Sequence, residues 1–406
     1  MLLLAVPVAA GSSGSVDQQG LATALFSLPF VLFSGYAGWM SDRFSKPAII
    51  TICKAAEIGI AALGMLGFLC YAQTGYSGML CVLFLMGAHS AFFGPGKYGI
   101  LPELFHERDL PRANGLILMT TFLAIIFGTA LAGGMGDFLM GTAKDPQRLW
   151  IGSLVCVGIA VVGTLTSLLI RPLPPAEPNL PLHADAVAIP AETRRLLATD
   201  KPLLTSLLVS CLFWLVGGVT MQSVNSLGLV QLGLNKTFTS LLTATIGLGI
   251  MLGAPLAGKL CRGRGDQRIV IGGGWGIVAA LVAMSITLPG GGHLLGFAGS
   301  VPTLIVLGAS SALFAIPVQV FLQTRPPAGQ KGRMIATMNL CNFIAIMLSG
   351  GVYFVFDRIV TLTGQPRSLM FLCIAALLLP VLLLKLPWED PASDASDPPA
   401  KLAERP

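Results

Sequence analysis

Long apolar runs separated by short polar turns fill most of the chain. A helix needs roughly 20 mostly apolar residues to cross a bilayer. Eleven segments have that length: 21–41, 48–70, 77–97, 113–137, 149–171, 203–225, 238–260, 269–288, 299–323, 334–357 and 368–387. So many spans of such length argue against buried helices of a soluble fold and predict an all-α membrane protein. Met1 to Ala10 is apolar but too short to span. No basic stretch precedes it, as a secretory signal would require. It reads as the back half of a first helix whose front is missing from the sequence. Asp17 follows in a loop outside the membrane.

The polar intervals divide the runs into two groups. Pro172 to Lys201 is long and polar, opens Pro172-Leu173-Pro174-Pro175 and carries Arg194 and Arg195. It predicts a linker between two bundles. Residues 1–171 then hold the remnant and five spans, 172–201 the linker, 202–388 six spans, and 389–406 a short Pro-rich tail. The groups echo each other. Gly38 to Arg43 closes one span and Gly258 to Gly263 another, and Pro95 and Pro317 follow at nearly equal separations. Internal repeats characterise secondary transporters, with the substrate site near the midplane where the halves meet. Chance alignment of common glycines and prolines is the competing explanation.

Composition sharpens the class. Hydrophobic residues make up 54% and charged residues 11%, against roughly 25% charged in a soluble domain. The 48 glycines suit closely packed membrane helices. A net charge of +6 comes with no basic run interleaved with aromatics, so no nucleic-acid partner is indicated. The 8 cysteines include no CxxC, and Cys81, Cys156, Cys211 and Cys373 sit singly in apolar runs. They read as buried thiols, and neither a metal site nor a cofactor is implied. Charge also orients the chain. Of 25 lysines and arginines, all but Lys54, Lys144, Arg148, Lys236, Arg358 and Arg367 fall on one side, with the C-terminal tail. That side, and the C-terminus, are expected to be cytoplasmic.

Two stretches carry local signals. The first is Gly38-x-x-x-Asp42-Arg43-x-x-Lys46, in the short turn between two spans. Gly38 lets two helices approach closely, Asp42 can face the positive N-terminus of a neighbouring helix, and Arg43 and Lys46 can bridge to carboxylates of the partner half. Such a cluster would latch one conformation. The second is Gly94-Pro95-Gly96-Lys97-Tyr98-Gly99-Ile100-Leu101-Pro102-Glu103-Leu104, followed by Arg112-Ala113-Asn114-Gly115. Gly and Pro free backbone groups and let a cation sit beside a water-filled cavity. Lys97 there either holds a phosphate or snorkels to the interface, and the residues alone do not choose.

The first stretch resembles the loop signature of the major facilitator superfamily. The second is similar to its bacterial lysophospholipid transporter branch. Lys54-Ala55-Ala56-Glu57, Phe213-Trp214 with Gly217-Gly218, Gly258-Lys259-Leu260, and Ile316-Pro317 with Gln323 agree with it. The resemblance runs from about Met1 to Leu386. It implies a 6+6 helical bundle working by alternating access, twelve helices in all once the remnant is completed. It also implies import of lysophospholipid across a bacterial inner membrane, a monomer, and an acyltransferase and acyl-ACP synthetase as partners. Ser45 departs from the family's usual glycine. An acidic, Asn-rich stretch in the first helix and an arginine near Gln222 are absent.

The substrate-binding candidates are Lys97, Glu57, Lys54, Trp214 and Gln222, and the latch candidates are Gly38, Asp42, Arg43 and Lys46. Lys54 and Glu57 share a helix face, and intramembrane charges default to function, usually paired. They form a local ion pair, or Glu57 meets the ammonium of an ethanolamine headgroup. Trp214, Gln222 and Asn225 are placed along the C-half wall. His89 reads as a hydrogen-bonded packing histidine ahead of a proton carrier, and His106 as part of a solvated loop. Rival functions are a drug or small-metabolite transporter of the same fold and a membrane scaffold for an acyltransferase. No His-x4-Asp box or nucleotide loop appears, so an enzyme is not expected.

Overall fold

A computed structural model describes residues 18–140, 146–182, 189–261, 266–288, 290 and 292–383. Its helices are α1 (Gln18–Arg43), α2 (Lys46–Leu69), α3 (Tyr71–Gly99), α4 (Leu101–Leu104), α5 (Leu110–Met140), α6 (Trp150–Ser167), α7 (Ala191–Thr199), α8 (Lys201–Ser226), α9 (Lys236–Leu260), α10 (Gln267–Ser285), α11 (Gly296–Thr324), α12 (Lys331–Leu362) and α13 (Leu369–Leu383). Each predicted span falls on a helix, and α4 and α7 are additional short pieces. Among the described residues nine stretches are long and apolar enough to cross a membrane, and β structure is limited to an isolated bridge between Thr287 and His293. The helix remnant at 1–10, Asp17 and the tail at 389–406 lie outside the described residues.

Helices dominate because a bilayer offers backbone groups no partners, so each span must satisfy them internally. Start signals are legible where the chain re-enters: the side chains of Asp200, Asn235 and Asp266 accept from Leu203 N, Phe238 N and Arg268 N at 3.1, 2.9 and 3.1 Å, capping α8, α9 and α10. The outward faces are apolar and uncovered, as on α6, where Leu154, Ile159, Val162 and Leu165 are exposed. Between helices small residues rule. A Cβ on Gly308 of α11 would lie 2.1 Å from Ile246 O of α9, so these two helices meet backbone to backbone.

α1, α2, α3, α5 and α6 form one group, with α5 packed on α6, and α8 to α13 form a second. Four pairs join the groups: α1 with α12, α3 with α12, α5 with α9, and α5 with α11. Three details differ from the sequence reading. α6 stops at Ser167 rather than 171, and Leu168 to Ile170 leave in tight turns bonded back to Leu165, Thr166 and Ser167. The polar linker ends in α7, which runs into α8 through the Asp200 cap. Cys81 and Cys156 are exposed rather than buried, because the outer helix faces need only apolar character, which a thiol supplies as well as alanine.

Candidate functional site

The Gly38–Lys46 turn sits against the start of α12. A Cβ on Gly38 would fall 2.7 Å from Ala336 Cβ and 3.0 Å from Arg333 Cα, so glycine permits this contact and larger residues do not. One turn on, Asp42 is fully buried. Its carboxylate accepts from Gly332 N at 2.7 Å, Arg333 N at 3.0 Å and Arg333 Nε at 3.1 Å. The first two donors are first-turn amides of α12, where unpaired N–H groups and the helix dipole both favour an anion, and the third is the guanidinium of Arg333. Arg333 also donates to Glu192 Oε2 at 2.6 Å, Glu177 Oε2 at 3.3 Å and Gly329 O at 2.9 Å. One buried guanidinium thereby joins α12, the α1–α2 turn and the linker.

Arg43 and Lys46 do not reach carboxylates across the bundle. Arg43 donates to Leu180 O and lies over the rings of Trp39 and Phe44, at 5.4 and 5.9 Å. Lys46, 1% exposed, pairs with Glu103 of α4 at 2.5 Å, on its own side of the linker. The reason is charge: the partner helix presents a cation, Arg333, so Asp42 takes the crossing contact and the neighbouring cations turn elsewhere. The linker is strapped over this turn, with Glu177 N donating to Asp42 O at 2.9 Å and Trp39 Nε1 to Leu180 O at 3.3 Å.

Gly258, the echo of Gly38, makes the corresponding contact. A Cβ there would lie 2.9 Å from Arg112 Cα and from Pro111 O, at the start of α5. Each closing glycine therefore seats on the first turn of a helix from the other group, with Arg333 and Arg112 in matching places. Beside the α5 contact, Asn114 and Gln323 form a buried reciprocal amide pair, at 2.7 and 3.1 Å. Both residues stood in the quoted motifs. Nothing in their spacing paired them, nor pointed to Arg333, Glu177 or Glu192.

A second polar cluster lies between α2, α3 and α5. Lys54 pairs with Glu57 at 2.6 Å, and Lys54 Nζ stands 5.4 Å from the Phe93 ring centre. His89 Nε2 is 3.9 Å from Glu57 Oε2, and both its ring nitrogens are buried without a hydrogen bond. The ring packs by stacking on Phe93, centroids 5.7 Å apart. Lys97 is different in kind. Its ammonium donates to Thr121 Oγ1 at 3.2 Å and lies 5.2 Å from the Tyr98 ring centre, with no carboxylate paired to it among the described residues.

Between the two groups runs a cleft walled by Tyr98, Asn114, Ser210, Trp214, Phe314 and Gln319 among others. Trp214 therefore faces the cleft. Gln222 and Asn225 are absent from its lining. Gln222 donates to Gly218 O at 3.2 Å and Ser349 Oγ at 3.4 Å, and Asn225 accepts from Thr243 at 2.9 Å. These bonds lie within the second group.

With the bundle and its closing turn in view, the family model of the Major Facilitator Superfamily matches residues 1–350. The chain belongs to the major facilitator superfamily. It is a multi-pass membrane protein of that superfamily's fold, as its likeness to solved members shows. The transporter FucP in the outward conformation is 16% identical, with TM-score 0.69 over 94% of this chain and 92% of that one. The human organic anion transporter MFSD10 is 16% identical, with TM-score 0.66 over 90% and 82%. Among curated superfamily relatives, the lysophospholipid transporter LplT of Pectobacterium carotovorum is 28% identical over 332 residues, 81% of this chain and 75% of the relative. That of Klebsiella pneumoniae is 28% identical over 342 residues, 82% and 79%. That of Salmonella enteritidis is 28% identical over 368 residues, 86% and 80%.

Proposed function

We propose that this protein carries lysophospholipid across or between the leaflets of a bacterial inner membrane by alternating access. The observation that carries the reading is Lys97. A half-buried ammonium with no carboxylate partner among the described residues, on the Gly94-Pro95-Gly96 side of α3 and next to a residue of the inter-bundle cleft, is a poor structural device. It is a good receptor for a phosphate. The family membership and the LplT relatives support a lipid phosphate as its ligand. Glu57 keeps one carboxylate oxygen outside its contacts with Lys54 and His89, and that oxygen receives the headgroup ammonium. Trp214 and the apolar cleft wall take the first part of the acyl chain.

The two groups of helices rock as bodies about the cleft, joined by the linker. The arrangement described is the one latched by Asp42 and Arg333, at the end that the lysine and arginine bias assigns to the cytoplasm. Transport alters no covalent bond, and the product passes to an acyltransferase system.

Lys97→Ala is expected to lower uptake of labelled lysophosphatidylethanolamine into proteoliposomes at least about tenfold, since a hydrogen bond to a charged group contributes ~1.5–3 kcal/mol. Membrane insertion should be unchanged. Wild-type uptake by that variant, or faster movement of sugars or cationic drugs than of the lysolipid by the unaltered protein, would overturn the assignment.

A further inference from the structure

Gln319 is a polar residue of the cleft whose amide donor no neighbour engages among the described residues. Asn114 is held by Gln323 and by Leu110 O, and Ser210 donates to Asn342 Oδ1 at 3.0 Å. The Gln319 amide nitrogen is buried and meets no acceptor. A buried donor without a partner is costly unless something else supplies an oxygen. The walls around it are aromatic, with Phe213, Trp214 and Phe314. What fits is a largely apolar ligand carrying an oxygen at a fixed depth.

Sequence position links this group to Lys97. Lys97 stands two residues after Pro95 in α3, and Gln319 two residues after Pro317 in α11. These are the prolines of the internal echo, whose closing glycines make matching contacts in the structure. The two side chains are thus corresponding positions of the two groups. Tyr98 connects them in space: its ring lies beneath the Lys97 ammonium and it lines the cleft that Gln319 also lines.

We propose that Gln319 hydrogen-bonds the glycerol hydroxyl that a lysophospholipid leaves free, and so distinguishes single-chain from two-chain lipids. This rests on the reading of Lys97 as the phosphate site. Moving from a phosphate at Lys97 into the cleft, the next oxygens of such a lipid belong to its glycerol. A carboxamide both donates and accepts, which suits a hydroxyl. A site built to bond a hydroxyl rejects the analogue lacking it, because its own buried group is then left unpaired. A two-chain lipid has an ester in place of the hydroxyl and a second chain to fit.

The test compares uptake of lysophosphatidylethanolamine and of its deoxy analogue, in which hydrogen replaces the glycerol hydroxyl, in proteoliposomes. The unaltered protein should prefer the hydroxylated lipid about tenfold. Gln319→Leu should slow that lipid by about the same factor and leave the deoxy rate unchanged, so that the preference vanishes. The retained deoxy rate also shows that the variant is folded. Retention of the wild-type preference by Gln319→Leu overturns the proposal. So does an equal loss on both lipids in Gln319→Met protein whose thermal unfolding is normal, since the side chain then acts on something other than the hydroxyl. An unaltered protein that moves neither lipid overturns the lysophospholipid reading itself, and this inference with it. An unaltered protein that moves both equally overturns the inference alone.

Discussion

Asp42→Ala is expected to lower transport at least tenfold while the protein still inserts and folds. The carboxylate is fully buried and answers three donors at the start of α12. Without it, the buried Arg333 keeps only Glu177, Glu192 and the Gly329 carbonyl, all at its outer nitrogens, and its Nε is left unmatched. Removing one partner of a buried pair costs about 3–5 kcal/mol, and the two remaining acids place this case at the lower end. The loss falls on the arrangement in which α1 meets α12, because there Asp42 and Arg333 are buried against each other. A shift of about 3 kcal/mol changes the ratio of two conformations more than a hundredfold. Spin labels on α1 and α12, placed away from the contact, should therefore report separation of the two helices in the variant.

A second change tests the cause. Adding Arg333→Leu to Asp42→Ala removes the stranded charge, and replacing both members of a buried pair by apolar groups is often neutral. The double variant should recover part of the α1–α12 contact. An Asp42→Ala protein with unchanged label distances and normal uptake would show that the turn is a passive contact.

Gly308→Val should destabilise the fold itself, by about 1–3 kcal/mol or more. A Cβ at Gly308 would lie 2.1 Å from Ile246 O, 2.8 Å from Ile250 N and 3.0 Å from Gly249 Cα. All three are backbone atoms, so no rotamer change relieves the clash. α9 and α11 must move apart, and the buried contacts of Leu304 and Leu307 loosen with them. Gly272→Val is the control, since a Cβ there meets nothing within 4 Å. Thermal unfolding in detergent should show a lowered midpoint for Gly308→Val and one close to wild type for Gly272→Val. Equal midpoints would mean that α9 and α11 do not need this close approach.

The membrane class and the span positions were legible because both depend on local composition. Twenty apolar residues in a row have few alternatives, and the prediction needs no knowledge of neighbours. Spans 203–225 and 238–260 map onto α8 and α9 within a few residues for that reason. Misplaced edges, such as that of α6, fall where apolar residues continue past the last helical turn.

The site divides differently. Gly38 and Asp42 were legible because each prepares a contact with a generic feature, a close helix surface and a helix N-terminus, whatever the partner's sequence. Arg43 and Lys46 were not, because an ion pair depends on which charge stands opposite. The sequence spaces those cations regularly but says nothing of Arg333 or Glu103. Lys54 and Glu57 were legible as a pair because helical spacing alone brings them together. The alternative, that Glu57 serves a ligand, depends on neighbours from α3 that spacing cannot reveal.

By itself, then, the sequence determined that this chain is a helical membrane protein, where its spans run, and which intramembrane charges demand explanation. Only the tertiary structure decided how those charges are spent. It used Asp42 on α12 and Lys46 on Glu103, bonded Gln222 to Gly218 and Ser349, and, among the described residues, left Lys97 without a carboxylate and the Gln319 amide nitrogen without an acceptor. The physical reason is that burial and span length are properties of a segment, whereas the satisfaction of a polar group is a property of everything packed around it.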